Sequence, residues 1–302
     1  MDSQSRTTCG FIAILGAPNV GKSTLLNRIV GTKVSIVSSK VQTTRTRVLG
    51  ISLDGGSQLI FIDTPGIFLP KRRLDRAMVA AAWGGAGDAD RIMLLIDSKR
   101  GVDSDTQLII DKLKNQGAQS VDLVLNKIDL VDKQKLLGLT ETLNNYGFFE
   151  NFFMVSAEKG EGVGDLVTYL KSKMPIGPWL FPEDQISDMP MRLLAAEITR
   201  EQLFIKLHQE LPYAATVETE TWEEKDDGSI RIEQTIYVER GSQRSIVLGQ
   251  NGKMIKSIGA ESRRELADIV DAVVHLFLFV KVREKWGDDP SRYSHWGLDF
   301  NA

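Results

Sequence analysis

Apolar and polar positions change rhythm twice along this chain. From Gly10 to about Lys173, short apolar runs alternate with stretches of helical spacing; the runs are Phe11–Leu15, Leu59–Ile62, Ile92–Ile96, Val121–Leu125 and Phe152–Val155. Near-continuous apolar strands separated by helices predict an α/β domain, a mostly parallel, doubly wound sheet covered on both faces. In such a sheet a ligand sits beyond the carboxyl ends of the strands. Pro175, Pro178, Pro182 and Pro190 then break the pattern, since proline at that density continues neither helix nor sheet. Past them, Leu193–Gln209 is helical by spacing, Ala214–Trp222 and Ile230–Glu239 read as strands, Lys253–Val270 as a helix and His275–Val282 as a last strand. That α-β-β-α-β order predicts a small α+β domain. The expected division is a first domain over 8–174, a semi-rigid linker over 175–190, a second domain over 191–286 and a tail over 287–302.

Composition changes this picture little. Across 302 residues, 42% hydrophobic and 25% charged content is ordinary for globular protein, and the length suits two domains. One cysteine, Cys9, rules out an internal disulfide framework and suits a reducing compartment. Residues Met1–Thr8 show no signal-peptide core, and no run approaches the roughly 18 apolar residues of a membrane span. A cytoplasmic protein is therefore expected, with peripheral membrane contact left open. Charge is uneven: residues 1–180 carry 22 Lys/Arg against 18 Asp/Glu, while residues 181–302 carry 15 against 22.

The chemistry is concentrated at the predicted strand ends. Gly16-Ala17-Pro18-Asn19-Val20-Gly21-Lys22-Ser23, with Thr24 opening the following helix, fits glycine, any four, glycine, lysine, serine. A strand feeding a glycine turn that opens a helix aims backbone N–H groups at a polyphosphate. Lys22 can reach the β- and γ-phosphates, and the Ser23 hydroxyl can ligate Mg²⁺. Asp63-Thr64-Pro65-Gly66 follows the second run; its carboxylate can hold Mg²⁺ and the Gly66 N–H can approach the γ-phosphate. Asn126-Lys127-Ile128-Asp129 follows the fourth run. Asp129 can accept from guanine N1–H and the exocyclic amine, Asn126 can support base and loop, and the Lys127 stem can pack over the ring. Ser156-Ala157, after the fifth run, offers an N–H to guanine O6. The expected ligand is GTP, with GDP as product.

These motifs, with Gln42-Thr43-Thr44-Arg45 between the first and second, resemble the translation-factor-related GTPases, and within them the Era family, over nearly the whole chain. The resemblance implies that a threonine ligates Mg²⁺ in the GTP state, carried here to Thr44 with Thr43 as the close alternative. Ile67 stands where Ras-like enzymes place a water-orienting glutamine, so turnover is expected to be slow and organised otherwise. Asn19 matches members of this branch that bind K⁺ beside the β–γ bridge. The expected catalytic set is Asn19, Lys22, Thr44 and Gly66.

In the second domain, Gly249-Gln250-Asn251-Gly252 is a G-x-x-G loop opening a helix, in the element order of a type II KH domain. That loop clamps single-stranded RNA in KH modules, with the adjoining helix and strand forming the groove. Between Arg240 and Arg264, six cations (Arg240, Arg244, Lys253, Lys256, Arg263 and Arg264) face one acid, Glu261. A basic groove on an acidic domain favours one strand in one site. The expected RNA contacts are Gly249, Gln250, Asn251, Gly252, Lys253, Lys256, Arg244 and Arg263. The resemblance implies as partner the 3′ end of 16S ribosomal RNA and the 30S subunit in maturation, with no DNA, a monomer, and room for peripheral inner-membrane association. The rival reading is a cell-cycle or signalling GTPase acting through a protein or membrane partner.

Overall fold

Both faces of the first sheet are covered, which is why its strands carry no polar period. The computed structural model describes residues 7–38, 44–207 and 211–302, and the chain clusters into two units. The first contains residues up to Ser35, Thr44–Asp188 and Tyr293–Ala302; the second contains Met189–Arg292 and residues 36–43 as far as they are described.

In the first unit the strands are β1 (Thr8–Leu15), β2 (Val48–Asp54), β3 (Ser57–Asp63), β4 (Arg91–Asp97), β5 (Val121–Asn126) and β6 (Asn151–Met154). Their order is β2-β3-β1-β4-β5-β6, all parallel except β2, which runs antiparallel to β3. Helices α1 (Lys22–Val30), α2 (Arg73–Gly87), α3 (Ser104–Asn115), α4 (Lys133–Asn144) and α5 (Val163–Lys173) cover it. Ile12 and Ile14 of β1 pack with Leu25 and Leu26 of α1 and Leu166 and Leu170 of α5. Ala13 and Leu15 face the other way, toward Ala82 of α2, Ile109 and Ile110 of α3 and Leu143 of α4. The period-2 pleat thus divides one apolar run between two cores. Strand β2 was not evident in the sequence: Gly50 interrupts its apolar run, and a Cβ there would strike Leu26 of α1.

At the amino ends of the central strands a polar knot replaces apolar packing. Arg91 donates to Asp122 through Nε at 2.8 Å and Nη2 at 3.0 Å, and also meets Glu150 at 2.8 Å and Tyr169 Oη at 3.0 Å. Asp122 is fully buried. Burial, then the Asp122 charge and hydrogen bond, push the Tyr169 phenol up to about 12.

The proline-bearing stretch belongs to this unit as far as Asp188. Gln58 of β3 donates to Phe181 O at 2.8 Å and accepts from the Leu180 N–H at 2.8 Å, Trp179 Nε1 donates to Gly56 O, and the Leu49 N–H donates to Asp188. These hydrogen bonds lace the stretch to the sheet edge.

The second unit holds α6 (Met191–Lys206), β7 (Ala215–Glu224), β8 (Ile230–Val238), α7 (Gly241–Leu248), α8 (Lys253–Val270) and β9 (Val274–Val282), followed by α9 (Pro290–His295), which begins within it. β7 and β8 form an antiparallel hairpin, and β9 joins β8 in parallel. A parallel neighbour requires a crossover, which α7 and α8 supply. The sequence reading lacked α7; its eight residues include Ser242, Ser245 and β-branched Ile246 and Val247, weak helix formers. The observed order is α-β-β-α-α-β. Ile236, Val238, Leu203, Val247 and Ile258 form the core between sheet and helices. Among the described residues, no helix is long and apolar enough to cross a membrane.

Candidate functional site

All the first unit's motifs meet at the carboxyl ends of its strands. β1 ends at Leu15 and α1 starts at Lys22, so the glycine loop spans the turn between them. Gly21 has φ 102°, and a Cβ there would collide with Asn126 Nδ2. Only glycine allows both the backbone and the close neighbour. Asn19 adopts a left-handed φ of 64°, which asparagine tolerates better than most residues. Its carbonyl accepts from Lys127 Nζ at 2.7 Å, and Pro18 O accepts from Arg100 Nη1 at 2.9 Å.

Lys22 is buried, and its Nζ donates to Gly16 O and Ala17 O at 3.1 Å each. Burial pulls its pKa down to about 8, against the opposing pull of Asp63. The Asp63 carboxylate is fully buried, and burial raises its pKa against the charge of Lys22 and three hydroxyls. Those hydroxyls surround Oδ2: Ser23 at 2.8 Å, Ser35 at 2.8 Å and Thr44 at 3.4 Å, with Ser23 and Thr44 themselves 2.9 Å apart. Asp63 Oδ1 is buried without a hydrogen-bond partner. Hydroxyl oxygens gathered at one oxygen of a buried carboxylate whose other oxygen has no partner fit a hard cation such as Mg²⁺, which takes few protein ligands and completes its shell from phosphate and water. Thr44 is therefore brought to Ser23 and Asp63; Gln42 and Thr43 lie outside the described residues.

Beyond Asp63, Thr64 Oγ1 donates to Ile14 O at 2.7 Å, and Gly66 lies so near the phosphate loop that a Cβ would sit 2.9 Å from Pro18 Cα. Ile67 is buried in the core and its N–H donates to Gly16 O at 3.1 Å. Its side chain packs; it presents nothing to water.

The Asn126-Lys127-Ile128-Asp129 motif is joined to the glycine loop. Asn126 Nδ2 donates to Val20 O at 2.8 Å, and its Oδ1 accepts from the Ala157 N–H at 3.0 Å. Asp129 accepts from Ser156 Oγ at 2.8 Å, which orients the carboxylate. The Ser156 N–H donates to Glu161 O. Both backbone N–H groups of Ser156-Ala157 are thus engaged within the protein, so a guanine O6 contact has to share the Ala157 N–H with Asn126.

Several residues of this site escaped sequence reading. Asp97, at the carboxyl end of β4, binds Lys127 Nζ at 2.8 Å and turns that lysine toward the phosphate loop. Its position directly after an apolar run was the available signal. Asn27 receives the Val34 and Ser35 N–H groups at 2.9 and 3.0 Å and donates to Ser35 O at 2.7 Å, which sets the Ser35 hydroxyl on Asp63. Arg28 of α1 donates to Ala157 O at 3.1 Å. Nothing in local spacing marks those two.

In the second unit the G-x-x-G loop is a tight turn: Gly249 has φ 69°, Asn251 φ 52° and Gly252 φ 72°. A Cβ at Gly249 would lie 2.6 Å from Met254 Cβ. Gln250, Asn251 and Lys253 are exposed, and α8 starts at Lys253. Farther along α8, Ile255, Lys256, Gly259, Ala260 and Arg263 line a cavity of about 390 Å³ against residues Leu276–Phe279 of β9. Lys256 and Arg263, seven residues apart, share this face. Arg244 instead donates to Val280 O at 3.3 Å, tying α7 to β9.

Comparison with known proteins agrees with both units. A model described as a 50S ribosome-binding GTPase matches residues 11–127, and a KH domain model matches residues 210–287. The chain is 60% identical to the GTPase Era of Bradyrhizobium sp. (strain ORS 278), over 98% of this chain and 96% of that protein. It is also 60% identical to the GTPase Era of Rhizobium meliloti (strain 1021), over 97% and 94%. Among solved structures, Era in complex with MgGDPNP and nucleotides 1506–1542 of 16S ribosomal RNA matches with TM-score 0.92 and 37% identity, covering 96% of this chain and 99% of that one. An Aquifex aeolicus Era variant bound to GDP and AlF₄⁻ matches with TM-score 0.91 at the same identity and coverage. A P-loop GTPase domain on a mostly parallel sheet, a KH domain after it and this identity over almost the full length make the chain a member of the Era family of GTPases.

Proposed function

We propose that this chain is a GTP-hydrolysing switch that binds the 3′ end of 16S ribosomal RNA through its KH groove and assists maturation of the 30S subunit. The observation that carries this reading is the meeting of Lys22, Ser23, Thr44, Asp63, Asn126 and Asp129 at one end of one sheet, in a chain that also holds a G-x-x-G loop beside a cationic groove.

In this reading residues 16–24 wrap the phosphates, and Lys22 leaves the carbonyls of Gly16 and Ala17 for the β- and γ-phosphates. Ser23, Thr44 and Asp63 hold Mg²⁺, which when bound neutralises charge on the phosphate oxygens. The Gly66 N–H meets the γ-phosphate, so the loop through Asp63, Thr64, Pro65 and Gly66 registers its loss. Asp129 receives the guanine N1–H and amine, the Lys127 stem covers the base, and Ala157 shares its N–H with O6. Water then attacks the γ-phosphorus while GDP departs, without a glutamine to orient it. Asn19 is the residue on which K⁺ assistance rests; equal rates in KCl and NaCl, unchanged in Asn19→Ala, would remove that part.

On the RNA side, Gly249–Gly252 clamp the sugar–phosphate backbone, and Lys253, Lys256 and Arg263 neutralise phosphates along α8. Arg244, exposed and held to Val280 O through Nε, adds a further cation to that contact surface. The working protein is a cytoplasmic monomer with no role for DNA, and peripheral inner-membrane contact is compatible with it. Nucleotide-resolved crosslinking in cells, alongside GTP turnover by the purified chain, tests the whole reading: crosslinks at the 16S 3′ end support it, and their absence with turnover intact favours the signalling alternative.

A further inference from the structure

The KH sheet has two faces with different fates. Leu276, Leu278 and Val280 of β9 face the helices and join the cores. His275, Phe277, Phe279 and Lys281 alternate with them and lie on the outer face, where Phe277 is 45% and Phe279 49% exposed. The far part of that face is covered: the Arg292 guanidinium sits 4.5 Å from the Tyr237 ring centroid and bonds Glu218 at 2.8 Å. Among the described residues the β9 row is left open and β9 pairs only with β8. An edge strand carrying two exposed aromatics is a liability unless the surface is used.

We propose that Phe277 and Phe279 form a stacking shelf for two bases of single-stranded RNA, continuing the path of the α8–β9 groove round the free edge of β9. The inference rests on the RNA reading of that groove and extends it. Continuity is direct, because Phe277 and Phe279 belong to the same cavity wall as Lys256 and Arg263. Spacing suits successive bases: residues two apart on a strand lie about 6.6 Å apart on one face, within reach of one extended nucleotide step. Charge suits a polyanion as well. His275 and Lys281 flank the two rings, and the β9 outer row holds no carboxylate. The nearest acid across the ladder, Glu233, is engaged by Arg231 at 3.1 Å, and the same guanidinium lies 5.1 Å from the Phe277 centroid. Aromatic faces flanked by cations bind bases of any sequence through stacking.

The test compares two labelled single-stranded RNAs from the 3′ end of the small-subunit rRNA, one of about five nucleotides that fills the G-x-x-G groove and one of about ten that runs past it. With the full chain, F277A/F279A should weaken the longer RNA about 10- to 100-fold and leave the shorter one unchanged. F277Y/F279Y should restore binding of the longer RNA, whereas F277L/F279L, which keeps apolar area without a π face, should not. Equal affinity of wild type and F277A/F279A for the longer RNA, with melting curves unchanged, overturns the shelf; so does full binding by the leucine variant. Gly252→Asp tests the groove separately: it should abolish binding of both RNAs. If the wild type binds neither RNA, the RNA reading itself fails.

Discussion

Asn126 donates its side-chain amide to the Val20 carbonyl at 2.8 Å, so the loop that would read the base and the loop that would hold the phosphates are one hydrogen-bonded piece. Its other side-chain atom holds the Ala157 N–H, and the residue is almost fully buried. Asn126→Asp removes the donor and sets a carboxylate against a carbonyl. GDP affinity should fall by about a hundredfold, equivalent to about 2.7 kcal/mol. Equilibrium titration with a fluorescent GDP measures this, and wild-type affinity would show that the two loops act independently.

Asp129 supplies the discrimination in the proposed base site. Asp129→Asn exchanges an acceptor for a donor, which faces the guanine amine wrongly but complements a carbonyl at the same ring position, as in xanthine. The variant should lose at least about tenfold in GTP affinity and gain in XTP affinity, because mismatched buried polar groups are left unpaired. Competition between the two nucleotides reads the change directly; unchanged preference would remove Asp129 from the base site.

Far from the nucleotide, Asp122 and Arg91 govern stability. Asp122 is fully buried and Arg91 nearly so; Asp122→Ala removes the buried partner of the guanidinium, leaving it the half-exposed Glu150 and the Tyr169 hydroxyl, and should cost about 3 kcal/mol in denaturant unfolding. Glu150 is 41% exposed, and Glu150→Gln should cost only about 0.5 kcal/mol.

The same knot gives an alkaline signature. The folded Tyr169 phenol is pushed up to about 12, by burial first and then by Asp122. A pKa raised in the folded state contributes stability that is complete below the unfolded value of about 10 and is lost as pH rises toward 12. Stability of the wild type should therefore fall faster than that of Tyr169→Phe between those limits. Parallel curves would show that the phenol is not held in this way.

Local pattern carried much of this architecture. The five apolar runs and the motifs after them were legible because each strand and its phosphate or base motif are adjacent in sequence, and strand ends in such sheets are where ligands sit. What stayed hidden depends on distant partners. β2 takes its place from pairing with β3, and Gly50 disguises its period; the turn residues Gly55-Gly56 were its available cue. α7 has weak propensity and is held by packing on α8 and β9. The roles of Asn27, Ser35 and Asp97 arise only when three strand ends converge. Prolines marked 175–190 as a break, but no spacing rule showed that Gln58 fastens Leu180 and Phe181 to the sheet edge.

In the proposed switch, nucleotide state in the first unit would control RNA capture in the second, with Thr44 and Gly66 registering the γ-phosphate and the KH groove holding the strand. The most direct measurement is the affinity of the full chain for the 16S 3′-end RNA with Mg²⁺ and a non-hydrolysable GTP analogue against Mg²⁺ and GDP. Binding should be at least about fivefold tighter in the GTP-analogue state, a coupling of about 1 kcal/mol. Equal affinity in the two states would contradict it.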